Sequence, residues 1–343
     1  MLKHYIIPIF ISHLGCPHTC VFCNQSKITA VAKEASSMIE GQGVLATAYD
    51  YLKTIPDQDR VVELSFFGGT FTAIETSRQI ELLEAAKELK EAGLIQHIRC
   101  STRPDFIDET ILKRCQAYGM DIIELGVQSL DPTVLKAAGR GHDDCSVAKA
   151  SQLIRDFGMS LGHQIMPGLP GADPASDRGT ARASIAMKPD FVRIYPTLVV
   201  AATPLAEMYE RGDYRSYSLD EAVTLSGELM SLYEQAGIEI IRVGLQATAE
   251  IAPGADLIAG PYHPAFRELV LSHRLNGRIK ELLEEKKQLE LWINPRDLSV
   301  LYADKKRFFK AQEDHLTVIQ SDAVARGQLL IRREGDLDMT LCI

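Results

Sequence analysis

No stretch of the 343 residues approaches the roughly 18–20 consecutive apolar residues that a bilayer-spanning helix needs. The longest early apolar run, Tyr5 to Ile11, has the length of one strand. It has neither a basic lead-in nor a small-residue cleavage site, so a cytoplasmic chain with no membrane partner is expected. A surplus of positive charge is also missing. With 37 Lys plus Arg against 46 Asp plus Glu, the formal net charge is −9, which excludes a chain held on nucleic acid by bulk charge and leaves room only for a local basic patch. The seven cysteines make an odd set in a chain without an export signal, so a disulfide framework is excluded as well. There is no internal repeat and no low-complexity tract. What remains is 46% hydrophobic and 24% charged, the balance of a globular protein with a full core.

Short apolar or β-branched runs recur at Tyr5 to Ile11, Val61 to Phe67, His97 to Ser101, Asp121 to Val127, Leu161 to Met166 and Phe191 to Tyr195. Amphipathic segments separate most of them. In Ser77 to Gly93, for example, Ile80, Leu83, Ala86 and Leu89 repeat on one face, charges fill the other, and Gly93 ends the run. Strands alternating with helices imply a mostly parallel sheet. Unusual residues follow every one of the six runs: a cysteine loop, Gly68-Gly69-Thr70, Arg103-Pro104, Gln128-Ser129, Pro167-Gly168 and Pro196-Thr197. A barrel-type sheet builds its site at the carboxyl ends of all its strands, whereas an open sheet concentrates it at one switch point. The expected fold is therefore α/β, a sheet curled into a full or partial barrel over residues 1–250, with Ile238 to Leu245 as a further edge run. Residues 251–343, with 14 Lys plus Arg against 14 Asp plus Glu, are electrically neutral and read as a small α+β unit. Its expected elements are a helix at Ala265 to Lys286, a strand at Leu289 to Ile293, a helix at Arg296 to Ala311, and strands at Leu316 to Gln320 and Gln328 to Arg333.

Cys16, Cys20 and Cys23 lie on one short loop with spacing C-x3-C-x2-C. Three thiolates so placed can hold three corners of a [4Fe-4S] cube and leave the fourth iron open to a further ligand. Zinc fits the same thiols if His18 or a distant residue completes a tetrahedron. Cys100 and Cys115, among apolar neighbours, are expected as buried small hydrophobes, and His142 and His163 as hydrogen-bonded structural histidines.

The cysteine loop, with the aromatic Phe22 before its last cysteine and the Gly68-Gly69-Thr70 turn after the next strand, resembles the radical S-adenosylmethionine superfamily. That resemblance implies a partial (β/α)6 TIM-type barrel and a [4Fe-4S] cluster on Cys16, Cys20 and Cys23 whose open iron chelates S-adenosylmethionine. Reductive cleavage of that cofactor yields a 5'-deoxyadenosyl radical that abstracts hydrogen from a substrate, with an electron donor of the ferredoxin or flavodoxin kind. It also implies cofactor contacts for Phe22, for Gly68, Gly69 and Thr70 toward the methionine ammonium, for Ser101 and Arg103 after the third strand, and for Ile165 and Gly168 near the adenine. Gln128 and Arg140 match positions that hold the ribose and carboxylate in relatives of the coproporphyrinogen dehydrogenases. Read alone, the glycines make a tight turn and Arg140 a helix-end cation. Ser101 departs from the pattern, since relatives commonly carry Glu there.

Thr102-Arg103-Pro104-Asp105, His163 to Pro170 and Arg193 to Val200, the last continuing through Thr203, Leu205, Gly212, Tyr214 and Tyr217, resemble the radical domain of the Elongator catalytic subunit family. This implies action on transfer RNA or another RNA. The residues after 250 carry no acetyltransferase-like pattern, so the resemblance is to a shortened relative. Lys305-Lys306-Arg307-Phe308-Phe309-Lys310 offers a faintly KH-like basic patch, although Ala303-Asp304-Lys305-Lys306 lacks the glycines of a KH loop; the plainer reading is a solvated face with one Phe in the core. Two rivals stay open: a radical oxidoreductase of a porphyrin-like small molecule, and a non-catalytic, metal-stabilised RNA-binding scaffold.

Overall fold

The computed structural model of the chain describes residues 3–11, 14–16, 20–24, 39–245, 254–285, 288–333 and 336–342. The six apolar runs form strands β1 (Lys3–Phe10), β2 (Arg60–Phe67), β3 (His97–Thr102), β4 (Ile122–Gln128), β5 (Ser160–Ile165) and β6 (Phe191–Ile194). Between them lie α1 (Gly41–Leu52), α2 (Thr76–Glu91), α3 (Glu109–Ala117), α4 (Pro132–Ala137), α5 (Asp144–Asp156) and α6 (Pro174–Ala186). Four of these helices start the same way. Asp108, Asp131, Asp143 and Asp173 each accept backbone N–H groups that the first turn leaves without partners, which fixes where the chain leaves the preceding strand end.

After β6 a two-residue strand, β7 (Val199–Val200), leads into helices α7 (Pro204–Glu210) and α8 (Leu219–Gln235). The edge run becomes β8 (Glu239–Val243), and β7 pairs antiparallel with β9 (Leu257–Ala259). The main sheet has the order β1-β2-β3-β4-β5-β6-β8, with every neighbour parallel. This is the expected partial barrel, carrying one strand more than six.

The two faces of that sheet differ chemically. Residues at alternate positions, Ile7, Ile9, Val62, Leu64, Phe66, Ile98, Cys100, Ile123, Leu125, Leu161, Val192 and Ile194, are buried and apolar, and helices pack against this face. The opposite face is the concave interior, and it carries Glu63, Ser65, Arg99, Glu124, Gln164 and Arg193. Registers such as Ser65 with Arg99 and Ser101 with Glu124 align these residues across the strands.

The chain divides into two compact units: Met1–Ser218 with Leu232–Tyr262, and Leu219–Ser231 with His263–Ile343. In the second, α9 (Phe266–Glu285) precedes a four-stranded sheet of β10 (Leu289–Ile293), β11 (Leu316–Gln320), β12 (Gln328–Arg333) and β13 (Asp336–Cys342), in the order β11-β10-β12-β13. Leu275, Ile279, Leu291, Ile293, Leu301, Phe309, Leu329 and Ile331 form its core. The single helix expected over Arg296 to Ala311 is replaced by short turns at Pro295–Asp297, Leu298–Leu301, Ala303–Lys306 and Lys310–His315. The break has a local cause: Asp304, Lys305 and Lys306 all have positive φ, which no right-handed helix accommodates.

Candidate active site

The cysteine loop and the turn after β2 interlock through their backbones. Ile11 N–H donates to Phe67 O at 2.8 Å, and Thr70 N–H donates to Leu14 O at 2.8 Å. A Cβ on Gly69 would stand 2.6 Å from both Ile11 O and Leu14 O, and one on Gly15 2.3 Å from Thr70 O, so neither position admits a side chain. Gly68 has φ +88°. The close approach of backbones expected at Gly68-Gly69 is thus directed in this structure toward the cysteine loop itself.

Cys16, Cys20 and Cys23 are free thiols. Cys16 Sγ lies 3.3 Å from Thr70 Oγ1, and Arg140 Nη1 donates to Cys20 Sγ at 3.1 Å. Cys23 N–H donates to Cys20 O at 3.0 Å. Among the described residues no three His, Cys, Asp or Glu side chains converge on one point as metal ligands, so the three sulfurs are not seen as a group. Pro17, His18 and Thr19, including the alternative zinc ligand, lie outside the described residues. The donor set itself fits an iron–sulfur cluster: three soft thiols outside any disulfide, on one loop at the mouth of the half-barrel.

Arg140 is the hub of the site and is almost completely buried. Besides Cys20, it donates to Gly126 O and, through Nε, to His142 Nε2 at 3.3 Å. Its own carbonyl accepts Arg103 Nη2 at 2.6 Å, while Arg103 grips Asp105 bidentately at 3.0 and 2.9 Å. Burial and the Arg140 cation lower the His142 pKa to about 4. Gln128, held at φ +66°, accepts Gln164 Nε2 at 3.3 Å. Phe22 is buried with Cys20, Val134, Leu169, Val199, Leu205 and Tyr214.

Behind the mouth the concave face holds a closed ionic network. Arg99 donates to Glu63 at 3.2 Å and to Glu124, and Arg193 Nε meets Glu124 at 3.0 Å. Arg193 Nη1 also donates to Tyr195 Oη at 3.1 Å. Arg99 and Arg193 lie over the Phe67 ring, 5.8 and 5.3 Å from its centroid. His4, 3.4 Å from the Glu63 carboxylate, and the Arg99 guanidinium lower the Glu63 pKa to about 2 against the burial that opposes it, and both Glu124 and Glu63 stay ionised. Ser101 Oγ reaches only Glu124, at 3.5 Å, so the carboxylate missing at 101 has a neighbour one strand away.

At the end of β5, Gly168 (φ +83°) is held by residues that the sequence reading did not single out as site residues. Gly168 N–H donates to Asp177 Oδ2 at 3.0 Å, and Tyr214 Oη donates to Gly168 O at 2.6 Å. Tyr217 Oη donates to the same Asp177 oxygen at 2.9 Å. Ile165 is buried, and its carbonyl accepts Tyr195 N–H at 2.9 Å. Two tyrosines stood in a segment noted only for its resemblance, and Asp177 carried no signal, being one acidic residue in the first turn of a helix. The site therefore brings together Cys16 with Thr70, and Cys20 with Arg140 and, through the Arg140 carbonyl, Arg103; among the described residues Ser101 and Ile165 make no hydrogen bond to that group.

The structural residues behave as expected. Cys100 and Cys115 are fully buried, and burial pushes the Cys115 thiol up to about 11. His163 sits between Ser151 and Ser184 at 3.0 and 2.8 Å. In the second unit Phe309 is buried, Lys306 pairs with Glu313, and Arg307 pairs with Asp304 at 3.1 Å and Asp220 at 2.8 Å, so the basic patch is half neutralised.

Comparison with known proteins gives two family matches: the radical SAM superfamily over residues 10–182 and the radical SAM C-terminal domain over residues 189–276. The tRNA uridine(34) acetyltransferase of Methanocaldococcus infernus is 30% identical over 257 residues, covering 64% of this chain and 47% of that protein. Elongator complex protein 3 of Saccharomyces cerevisiae is 34% identical over 204 residues, covering 53% and 36% respectively. The chain thus spans about half the length of the archaeal relative and less of the yeast one. Among solved structures, the N-terminally deleted Methanocaldococcus infernus Elp3 superposes with TM-score 0.62 at 23% identity, covering 96% of this chain and 74% of that one, which establishes a shared fold.

Proposed function

The chain belongs to the radical SAM superfamily, and on that premise we propose that it is an RNA-modifying enzyme acting on transfer RNA, with a [4Fe-4S] cluster on Cys16, Cys20 and Cys23 and S-adenosylmethionine as cofactor. One observation carries the reading. Arg140, nearly buried and anchored by Gly126 O and His142, presents its guanidinium to Cys20, so that the loop after β1 and the chain after β4 meet at the carboxyl end of the parallel sheet. When bound, the cluster and S-adenosylmethionine supply one-electron cleavage of the sulfonium and thereby hydrogen abstraction from substrate.

The chain's own residues do the holding. Thr70 and Arg140 orient the cysteine sulfurs, Gly68 and Gly69 let the backbone approach, and Arg103, locked by Asp105, fixes the Arg140 peptide. Gln128 and the Gly168 turn would take the ribose and the adenine. The Arg99–Glu63–Glu124–Arg193 network fills part of the concave face with largely buried, mutually paired charges. Transfer RNA is proposed as substrate because the archaeal relative that aligns with this region bears a tRNA uridine name, and a ferredoxin or flavodoxin is proposed as electron donor.

The test is anaerobic. The protein is reconstituted with iron and sulfide, reduced and given S-adenosylmethionine, and 5'-deoxyadenosine is assayed beside a Cys20→Ala control. Product that depends on Cys20 is expected. Zinc in place of iron and no cleavage sinks the radical reading in favour of a scaffold. An unchanged nucleoside profile in transfer RNA from cells lacking the gene removes the RNA substrate and leaves a small molecule.

A further inference from the structure

The residues from Ala201 to Tyr217 follow β7, carry none of the expected cofactor ligands, and yet touch both sides of the site. On one side they hold the cysteine loop: Leu205 N–H donates to Val21 O at 2.8 Å, and Asn24 Nδ2 donates to Ala201 O at 3.2 Å. Leu205, Ala206 and Tyr214 share an apolar cluster with Cys20 and Phe22. On the other side they hold the turn after β5. Tyr214 takes the Gly168 carbonyl, and Tyr217 holds Asp177, which takes the Gly168 N–H. The Tyr217 ring fills the space where a Gly168 Cβ would stand, 2.7 Å from its Cδ2.

A surface turn can satisfy its peptide with water at almost no cost. Here one glycine has both polar groups bound by buried side chains, at 4% exposure for Asp177, 8% for Tyr214 and 9% for Tyr217. Burial outweighs the hydrogen bonds from Tyr217 and Gly168 and pushes the carboxyl's pKa up to about 7. Such an arrangement fixes a position more than it adds stability, as the supporting shell of a binding site does.

We propose that the 201–217 segment is a brace that locks the Gly168 turn to the cysteine loop, with Asp177, Tyr214 and Tyr217 as positioning residues for S-adenosylmethionine. The brace rests on the reading that the cofactor bridges those two places. Its two holders then move as one body, and the adenosine end finds its turn already set when the cluster has taken the methionine end.

The experiment uses the full chain, reconstituted anaerobically, as wild type, Tyr214→Phe, Tyr217→Phe and Asp177→Asn. Iron and sulfide content, thermal midpoint, and the Kd of S-adenosylmethionine by equilibrium dialysis are measured. Deleting either hydroxyl removes one hydrogen bond and no packing, so the Kd is expected to rise about fivefold, with iron content unchanged, the thermal midpoint lowered by no more than about 4 °C, and the cleavage rate at saturating cofactor within twofold of wild type. Wild-type Kd in all three variants overturns the brace. So does a Kd that weakens only in step with lost thermal stability, since that marks a role in folding alone. If the wild type itself binds no cofactor, or Cys20→Ala binds it equally well, it is the underlying cofactor reading that fails.

Discussion

Single residues set limits that can be measured without knowing the substrate. Gly69 has two carbonyl oxygens where a Cβ would go, so Gly69→Ala has to push the cysteine loop away from the β2 turn. A stability loss of about 2–4 kcal/mol is expected, together with poor iron retention, read by denaturant unfolding and metal analysis. Two buried groups give opposite pH dependences. The Asp177 carboxyl, raised to about 7 in the folded chain, binds more protons folded than unfolded between about pH 4 and 7. Its contribution is fully present in acid and fades as pH rises to 7, so Asp177→Asn should flatten that decline, by an amount on the order of a few kcal/mol. His163 is lowered to about 3 by burial, and the unfolded chain takes up its proton first. Its contribution is intact above the ordinary imidazole range and falls as pH drops toward 3, so His163→Asn should lose stability near neutrality yet show a shallower acid limb in unfolding titrations.

At the scale of elements, the left-handed run Asp304, Lys305 and Lys306 is the clearest local conflict between residue type and backbone. Lys305→Gly, exposed and at φ +56°, is expected to stabilise the chain by roughly 0.5–1 kcal/mol in thermal or denaturant unfolding. The six strand–helix units were legible because a buried parallel strand reads as a continuous apolar run and an amphipathic helix as a 3.6-residue stripe. The break at 304–306 was not legible, since the run has helix-forming residues and no glycine. The two-residue β7 and the strand β13 escaped for different reasons: the first is shorter than any periodicity, and Asp336–Cys342, although it alternates polar with apolar residues, carries Asp336 and Asp338, a residue type depleted in strands. Of the site, the cysteines, glycines and Arg140 carried a signal because their chemistry is unusual for their place in the chain. Asp177 and the Glu63–Arg99–Glu124–Arg193 network carried none, because each is one common residue per strand or helix and gains its meaning only when neighbouring strands come into register.

In the whole molecule the strands of the main sheet stand in the same order as they occur in the chain, from β1 to β8. Every strand therefore finds its partner already made as the chain emerges from the ribosome, and the sheet grows outward from one edge. The cysteine loop is on the first strand of that series, but the backbone that Asn24 holds lies 177 residues downstream. At the usual pace of about 5–20 residues per second, those thiols spend on the order of ten to thirty-five seconds without their final cover. Stalled nascent chains ending before residue 200 should accordingly be alkylated at Cys16, Cys20 and Cys23 much faster than chains extending past 260, and equal rates would show that the later segment shields nothing. If the loop takes iron as proposed, synthesis is when it lies most open both to metal and to oxidation, so the timing of translation, as well as the finished geometry, bears on how much of the protein is born able to take it up.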